Sequence, residues 1–143
     1  MKALRFLLSV LIALVLPSRR AAQEAYAVLD GNTLTFYYDN QRTTYAGAYL
    51  LNTIGNDPGW YASRESVVKV VFHPSFADAR PTNTYRWFSG MIYLQEIQHL
   101  DYLNTSQVTS MNGMFYGCSS LTYLNVIPAV FLCASHSIPG PGK

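Results

Sequence analysis

Asn104–Val126 reads NTSQVTSMNGMFYGCSSLTYLNV. A polar Asn104-Thr105-Ser106 turn leads into a stripe of Val108, Met111, Met114 and Phe115, then a Gly117-Cys118 stop, then a closing Leu121, Leu124 and Val126. No single secondary-structure element carries all of these signals. A turn, a short helix and a short strand in succession do, and that is the make-up of one unit of a stacked repeat. Such a unit cannot bury its apolar face alone, so it demands siblings at a fixed interval.

The siblings begin at Trp60. Trp60–Val67 (WYASRESV) aligns with Trp87–Leu94 (WFSGMIYL) and with Met114–Leu121 (MFYGCSSL), at an interval of 27 residues both times. The columns match in chemistry: Trp60, Trp87, Met114; Tyr61, Phe88, Phe115; Ser63, Gly90, Gly117; Val67, Leu94, Leu121; Val70, Ile97, Leu124. Phe76, Leu103 and Val130 stay in register. Strict columns follow from stacking, because equivalent strands about 4.8 Å apart bring like positions together in a continuous core. A period of 27 falls in the range of leucine-rich repeats. The expected fold is α/β: a leucine-rich-repeat-like solenoid of about three 27-residue rungs, each a short parallel strand plus a short helix.

Upstream, Glu24–Tyr38 reads as a β-hairpin that caps this solenoid at its N-terminal end. Ala25–Leu29 is one strand, Asp30-Gly31 tolerates a positive φ, and Thr33–Tyr38 returns with Leu34 and Phe36 alternating against Thr33, Thr35 and Tyr37. Asp39–Gly59 has no clear periodicity. The expected organisation is 1–23 export signal, 24–59 hairpin cap and connector, 60–126 solenoid and 127–143 irregular tail.

The register selects the strand residues that face outward: Lys69, Glu96 and Tyr123 in one column, Val71, Gln98 and Asn125 in the next. Lys69, Glu96, Gln98, Tyr123 and Asn125 are therefore the candidate ligand-binding residues. Lys69 over Glu96 makes an opposite-charge cross-strand pair. His99 stands where Phe72 and Val126 put hydrophobes, which predicts a partly buried histidine with one partner or a local bulge.

Bulk composition bounds the rest. Half of the 143 residues are apolar and 13% are charged, so the body of the chain is a folded domain rather than a disordered one. The formal charge of +2 is misleading, since Lys2, Arg5, Arg19 and Arg20 lie in the first 23 residues; the remainder holds six Lys/Arg against eight Asp/Glu. With no basic cluster, nucleic acid is excluded as an expected partner. Lys2 and Arg5 precede the apolar run Phe6–Leu16, which Pro17 ends. That run is too short for a bilayer span of about 20 residues and fits the apolar core of an export signal, with cleavage between Ser18 and Ala25 and no stable membrane span thereafter.

No catalytic constellation is present. The chain has no GxSxG, phosphate loop, HExxH or CxxC, and His73, His99 and His136 are not at metal-ligand spacings. No catalytic residue, metal or cofactor is expected. Cys118 and Cys133 could pair in an exported chain. The favoured reading makes Cys118 a small buried hydrophobe, because Cys133 lies in a tail unlike the rest. Asn104-Thr105-Ser106 is formally a glycosylation sequon but reads as the repeat's polar turn.

Asn104, Thr105, Ser106, Val108, Thr109, Met111, Met114, Phe115, Gly117, Cys118, Ser119, Leu121 and Leu124 stand at the positions of a known repeat motif. The stretch resembles the repeat of BspA-like leucine-rich repeat surface proteins of bacteria, of the Bacteroidales type, and the likeness extends from about Ala25 to Val126. Trp60 and Trp87 replace the family's usual Met, and the first two units are degenerate. The resemblance implies a secreted or cell-surface, non-enzymatic protein that binds a protein ligand on a host or microbial surface, and it carries over no catalytic residue. The alternatives are a carbohydrate-binding surface module, for which Tyr123 would be a stacking residue, or a truncated fragment with no independent function. Val126 is followed by IPAVFLCASHSIPGPGK, which starts no further unit. An uncapped edge at Leu121–Val126 is accordingly expected to promote self-association.

Overall fold

A computed structural model describes residues 21–52 and 55–122. The apolar run Phe6–Leu16 of the expected export signal, Tyr123, Asn125, Cys133, His136, the tail 127–143 and most of the expected edge at Leu121–Val126 lie outside the described residues.

Strands β1 (Glu24–Asp30) and β2 (Thr33–Asp39) form an antiparallel hairpin whose register runs from Glu24↔Asp39 to Asp30↔Thr33. Gly31 has φ +57 at the first central position of the two-residue loop, where the turns that match strand twist need a positive φ. β3 (Tyr49–Leu50) pairs antiparallel with Tyr26 and Ala27 of β1. On the other side β2 pairs in parallel with β4 (Lys69–Phe72), Thr33↔Lys69 through Phe36↔Phe72. β4 in turn pairs in parallel with β5 (Glu96–Gln98). The result is one mixed five-stranded sheet in the order β3-β1-β2-β4-β5.

Strand alternation sends Ala27, Leu34, Phe36, Val70 and Phe72 to one face, where all are fully buried. Trp60, Phe76, Trp87, Phe88, Met91 and Leu94 pack down on that face. Phe36 is the hub. Its ring stacks on Phe72 (centroids 4.8 Å apart) and Trp87 (5.0 Å), and meets Trp60 edge-on at 5.3 Å. Offset and edge-on pairs of this kind add about 0.5–1.5 kcal/mol each beyond the area they bury. Asn52 ties the layer to the irregular segment above it. Its amide Nδ2 donates to Asn56 O (2.7 Å) and Tyr85 O (3.0 Å), and its Oδ1 accepts from Trp87 Nε1 (2.8 Å).

Several expectations are corrected. The chain does not build a solenoid of strand-plus-helix rungs, nor does the hairpin sit outside the repeats as a cap. β2 is the central strand of the sheet, so the hairpin is part of the same layer as β4 and β5. The 27-residue interval is present as a strand register, Lys69↔Glu96, Val70↔Ile97 and Val71↔Gln98. It recurs between irregular segments as the parallel bridge Asn83↔Ser110, beside which Thr84, Arg86, Phe88 and Gly90 donate their N–H groups to Ser110 O, Asn112 O, Met114 O and Tyr116 O.

The expected helices fail for a local reason. Tyr61–Ser66 is a 3₁₀ helix of six residues, and in the two later units the segments are successive turns. Positive φ at Arg86 (+54) and Gly90 (+73), and again at Gly113 (+65) and Gly117 (+75), breaks the chain every four residues. A right-handed helix cannot propagate through left-handed residues. Segments this short also do not repay helix nucleation. Of the two expectations for His99, partial burial is corrected: the residue is exposed, with φ +57, and stacks on Tyr102 at 5.3 Å. The left-handed step at His99 turns the next residue, Leu100, into the core in its place.

Candidate functional site

The opposite face of the sheet carries the candidate residues. The pairings set them in rows: Asp30, Thr33, Lys69 and Glu96 in one, Val28, Thr35, Val71 and Gln98 in the next. Lys69 Nζ lies 3.6 Å from Glu96 Oε2, and Gln98 Nε2 donates to Glu96 Oε1 at 2.8 Å. Glu96 is thus held between two partners while half of its side chain stays in solvent. Three of the five sequence-derived positions come together here; Tyr123 and Asn125 lie outside the described residues.

Tyr26 and Tyr37 are cross-strand partners in the third row, and their rings stack at 5.4 Å. Tyr45 arrives from the turn that follows the 3₁₀ segment Arg42–Thr44 and stacks on Tyr37 at 5.5 Å. His73, just past β4, approaches Tyr37 to 5.0 Å. The cluster is pinned by Tyr26, whose hydroxyl donates to Asp39 Oδ1 at 2.8 Å, an oxygen that also accepts from Gln41 N–H. Burial, together with the hydrogen bond to Asp39, raises the Tyr26 phenol well above its ordinary value. Burial raises Tyr37 too, with Tyr45 beside it adding to the shift. Both hydroxyls stay neutral at physiological pH and act as hydrogen-bonding groups rather than charges.

Against the cluster lies a groove of about 560 Å³, lined by Val28, Asp30, Thr33, Thr35, Tyr37, Thr44 and Tyr45 among others. Hydroxyls, one carboxylate and two ring edges face it.

Protein-family models, curated proteins and solved structures all return no match to this chain.

Among the described residues, no three His, Cys, Asp or Glu side chains converge as a metal site would require. No helix among them is long and apolar enough to cross a membrane. Cys118 is a partly buried thiol that donates to Phe88 O at 3.0 Å, and burial pushes it up to about 12. Its pairing with Cys133 falls outside the described residues.

Sequence reasoning misses the aromatic cluster as a unit. Tyr37 is legible as outward-facing from its alternation with Phe36. Tyr26 follows from the hairpin register, because Tyr26↔Tyr37 is a direct pair. Tyr45 sits in a segment without periodicity, and no sequence signal places it on this face.

Proposed function

We propose that the protein is a secreted or surface-displayed, non-enzymatic binding module that engages a protein ligand on a host or microbial surface through the outward face of its sheet. The observation that carries this reading is the stacked tyrosine cluster, in which exposed Tyr45 and half-buried Tyr37 rest on fully buried Tyr26, beside the Lys69–Glu96–Gln98 chain on the solvent side of the sheet. Tyrosine supplies large amphipathic contact area at low cost in side-chain entropy, which is why protein-binding surfaces are rich in it. A face already stacked against itself loses little further freedom on association. The resemblance of Asn104–Val126 to surface-protein repeats and the export-signal pattern of residues 1–23 support display outside the cell.

A carbohydrate-binding reading is less favoured on this face. Sugar rings stack on open aromatic faces, whereas Tyr37 is stacked by both Tyr26 and Tyr45.

The test is binding of the purified protein to immobilised host matrix proteins in parallel with a glycan array. Saturable protein binding is expected, weakened at least tenfold by Tyr45→Ala combined with Lys69→Ala and Glu96→Ala, with an unchanged circular dichroism spectrum. Glycan binding without protein binding, or protein binding that the triple variant leaves intact, would overturn the proposal.

A further inference from the structure

Five Lys and Arg side chains fall among the described residues. Four have a carboxylate partner: Arg42 with Glu24, Arg64 with Glu65, Lys69 with Glu96, and Arg86 with Asp57. Arg80 has none among the described residues, yet it is not loose. Its Nη1 donates to Ala77 O at 2.9 Å and Ala79 O at 2.8 Å, the carbonyls at the end of the 3₁₀ segment Pro74–Asp78. One nitrogen anchors the guanidinium, and the rest of its fork is left to face outward.

What it faces is a cleft of about 730 Å³ at the end of the sheet where β1 starts and β2 finishes, on the side remote from the tyrosine cluster. The lining is mostly apolar, from Ala25, Leu51, Pro81 and the ring of Tyr38. Asp78 stands on the rim, and it too has no ion pair among the described residues, not even with Arg80 two positions away. One wall is rigid: Asn83 is 3% exposed, its Nδ2 donates to Asn52 O at 2.8 Å, and its Oδ1 accepts from Tyr85 N–H at 3.0 Å. An apolar hollow of this size with a few fixed polar groups at its edge is the usual form of a ligand site.

We propose that this cleft binds the free carboxyl terminus of a polypeptide whose last residue is apolar. Arg80 pairs with the terminal carboxylate. The apolar lining takes the last side chain, and Asp78 accepts from a main-chain N–H of the same segment. Each uncommitted group then meets a complementary one. An anchored guanidinium is suited to the work because its fork matches a carboxylate and is already held in place. An internal or amidated segment presents no anion to Arg80 and forfeits the charge-assisted pair. The site is separate from the sheet face and shares no residue with it, so its failure would leave the protein-binding reading of that face standing.

Two matched peptides test it on the unaltered protein: an acetylated tetrapeptide ending in leucine as the free acid, and the same peptide as its C-terminal amide, followed by calorimetric titration. The acid is expected to bind about tenfold or more tightly than the amide, a ratio in line with one hydrogen-bonded charge pair, and to weaken as salt is raised. Arg80→Gln should erase the difference between the two peptides while the thermal midpoint stays within a few degrees. Equal affinity for acid and amide overturns the proposal without any variant. Glucuronate binding in place of the peptide acid also overturns it, assigning the cleft to acidic sugars.

Discussion

The indole Nε1 of Trp60 donates to the main-chain carbonyl of Trp87 at 2.7 Å, across 27 residues and inside the core. The two residues occupy the same column of the repeat, so the bond ties one unit to the next through a side chain as well as through packing. Trp60→Phe keeps most of the ring but leaves that buried carbonyl without its donor. An orphaned buried group costs about 1–3 kcal/mol, and each kcal/mol lowers the melting point of a domain near 100 residues by about 4–8 °C. Thermal denaturation of Trp60→Phe should show a drop of that order; an unchanged midpoint would show that the bond contributes nothing.

Gly90 has φ +73, and a Cβ added there would lie 2.9 Å from Arg64 Nε and 3.0 Å from Arg64 Cδ. Arg64 is itself engaged, donating to Tyr61 O at 3.0 Å with its guanidinium 4.4 Å from the Tyr61 ring centroid. Gly90→Ala should therefore cost the backbone penalty of about 1–2 kcal/mol and displace Arg64 besides. Gly31→Ala isolates the first part, since φ is +57 there but nothing lies within 4 Å of the new Cβ. In urea titrations Gly90→Ala should lose more stability than Gly31→Ala, and the reverse order would refute the steric part.

Alkaline pH should unfold the protein through Cys118 and Tyr26. Burial raises the Cys118 thiol from 9.0 to about 12 and raises the Tyr26 phenol above 10.0. A raised folded-state pKa means that the unfolded chain ionises first. The stability held by these neutral groups is intact below about pH 9 and is lost as pH climbs through the folded values. Stability measured from pH 7 to 11 should be level and then fall, with Cys118→Ala and Tyr26→Phe each flattening the fall. The same shift keeps the thiol unreactive: iodoacetamide at pH 8 should modify Cys118 in urea and spare it in the native state.

Lys69 and Glu96 meet at 3.6 Å, but their side chains are 35% and 53% exposed. Exposed pairs are worth about 0–1 kcal/mol and weaken with salt. Lys69→Ala and Glu96→Ala should each shift the urea midpoint only slightly, and less so in 1 M salt. A loss above about 2 kcal/mol would mean that the pair is structural, and would weaken its assignment to the binding face.

Much of the burial pattern is legible in the amino-acid sequence. The alternation of Leu34 and Phe36 against Thr33, Thr35 and Tyr37 places the hairpin and its two faces, because side chains along a strand leave in opposite directions. The column interval alone matches Lys69 to Glu96. The solenoid expected from the same columns does not form. Apolar periodicity tells which residues must be buried together, but it is blind to the sign of φ, and left-handed backbone at Arg86 and Gly113 decides between helix and turn.

The hairpin strands β1 and β2, the repeat strands β4 and β5, their inward and outward faces and the 27-residue register are properties of the sequence. They follow from local stereochemistry and from like positions stacking on like, whereas β3 lies in a segment without periodicity. The parallel union of β2 with β4 is not such a property, because it sets Thr33 beside Lys69 at a spacing outside the repeat. Tertiary packing likewise brings Tyr45 onto Tyr37 and leaves Arg80 anchored over a cleft with no ion-pair partner among the described residues. Those contacts come from where non-repeating segments close in space. Loop closure depends on the whole packed core, and no pattern within the loop encodes it.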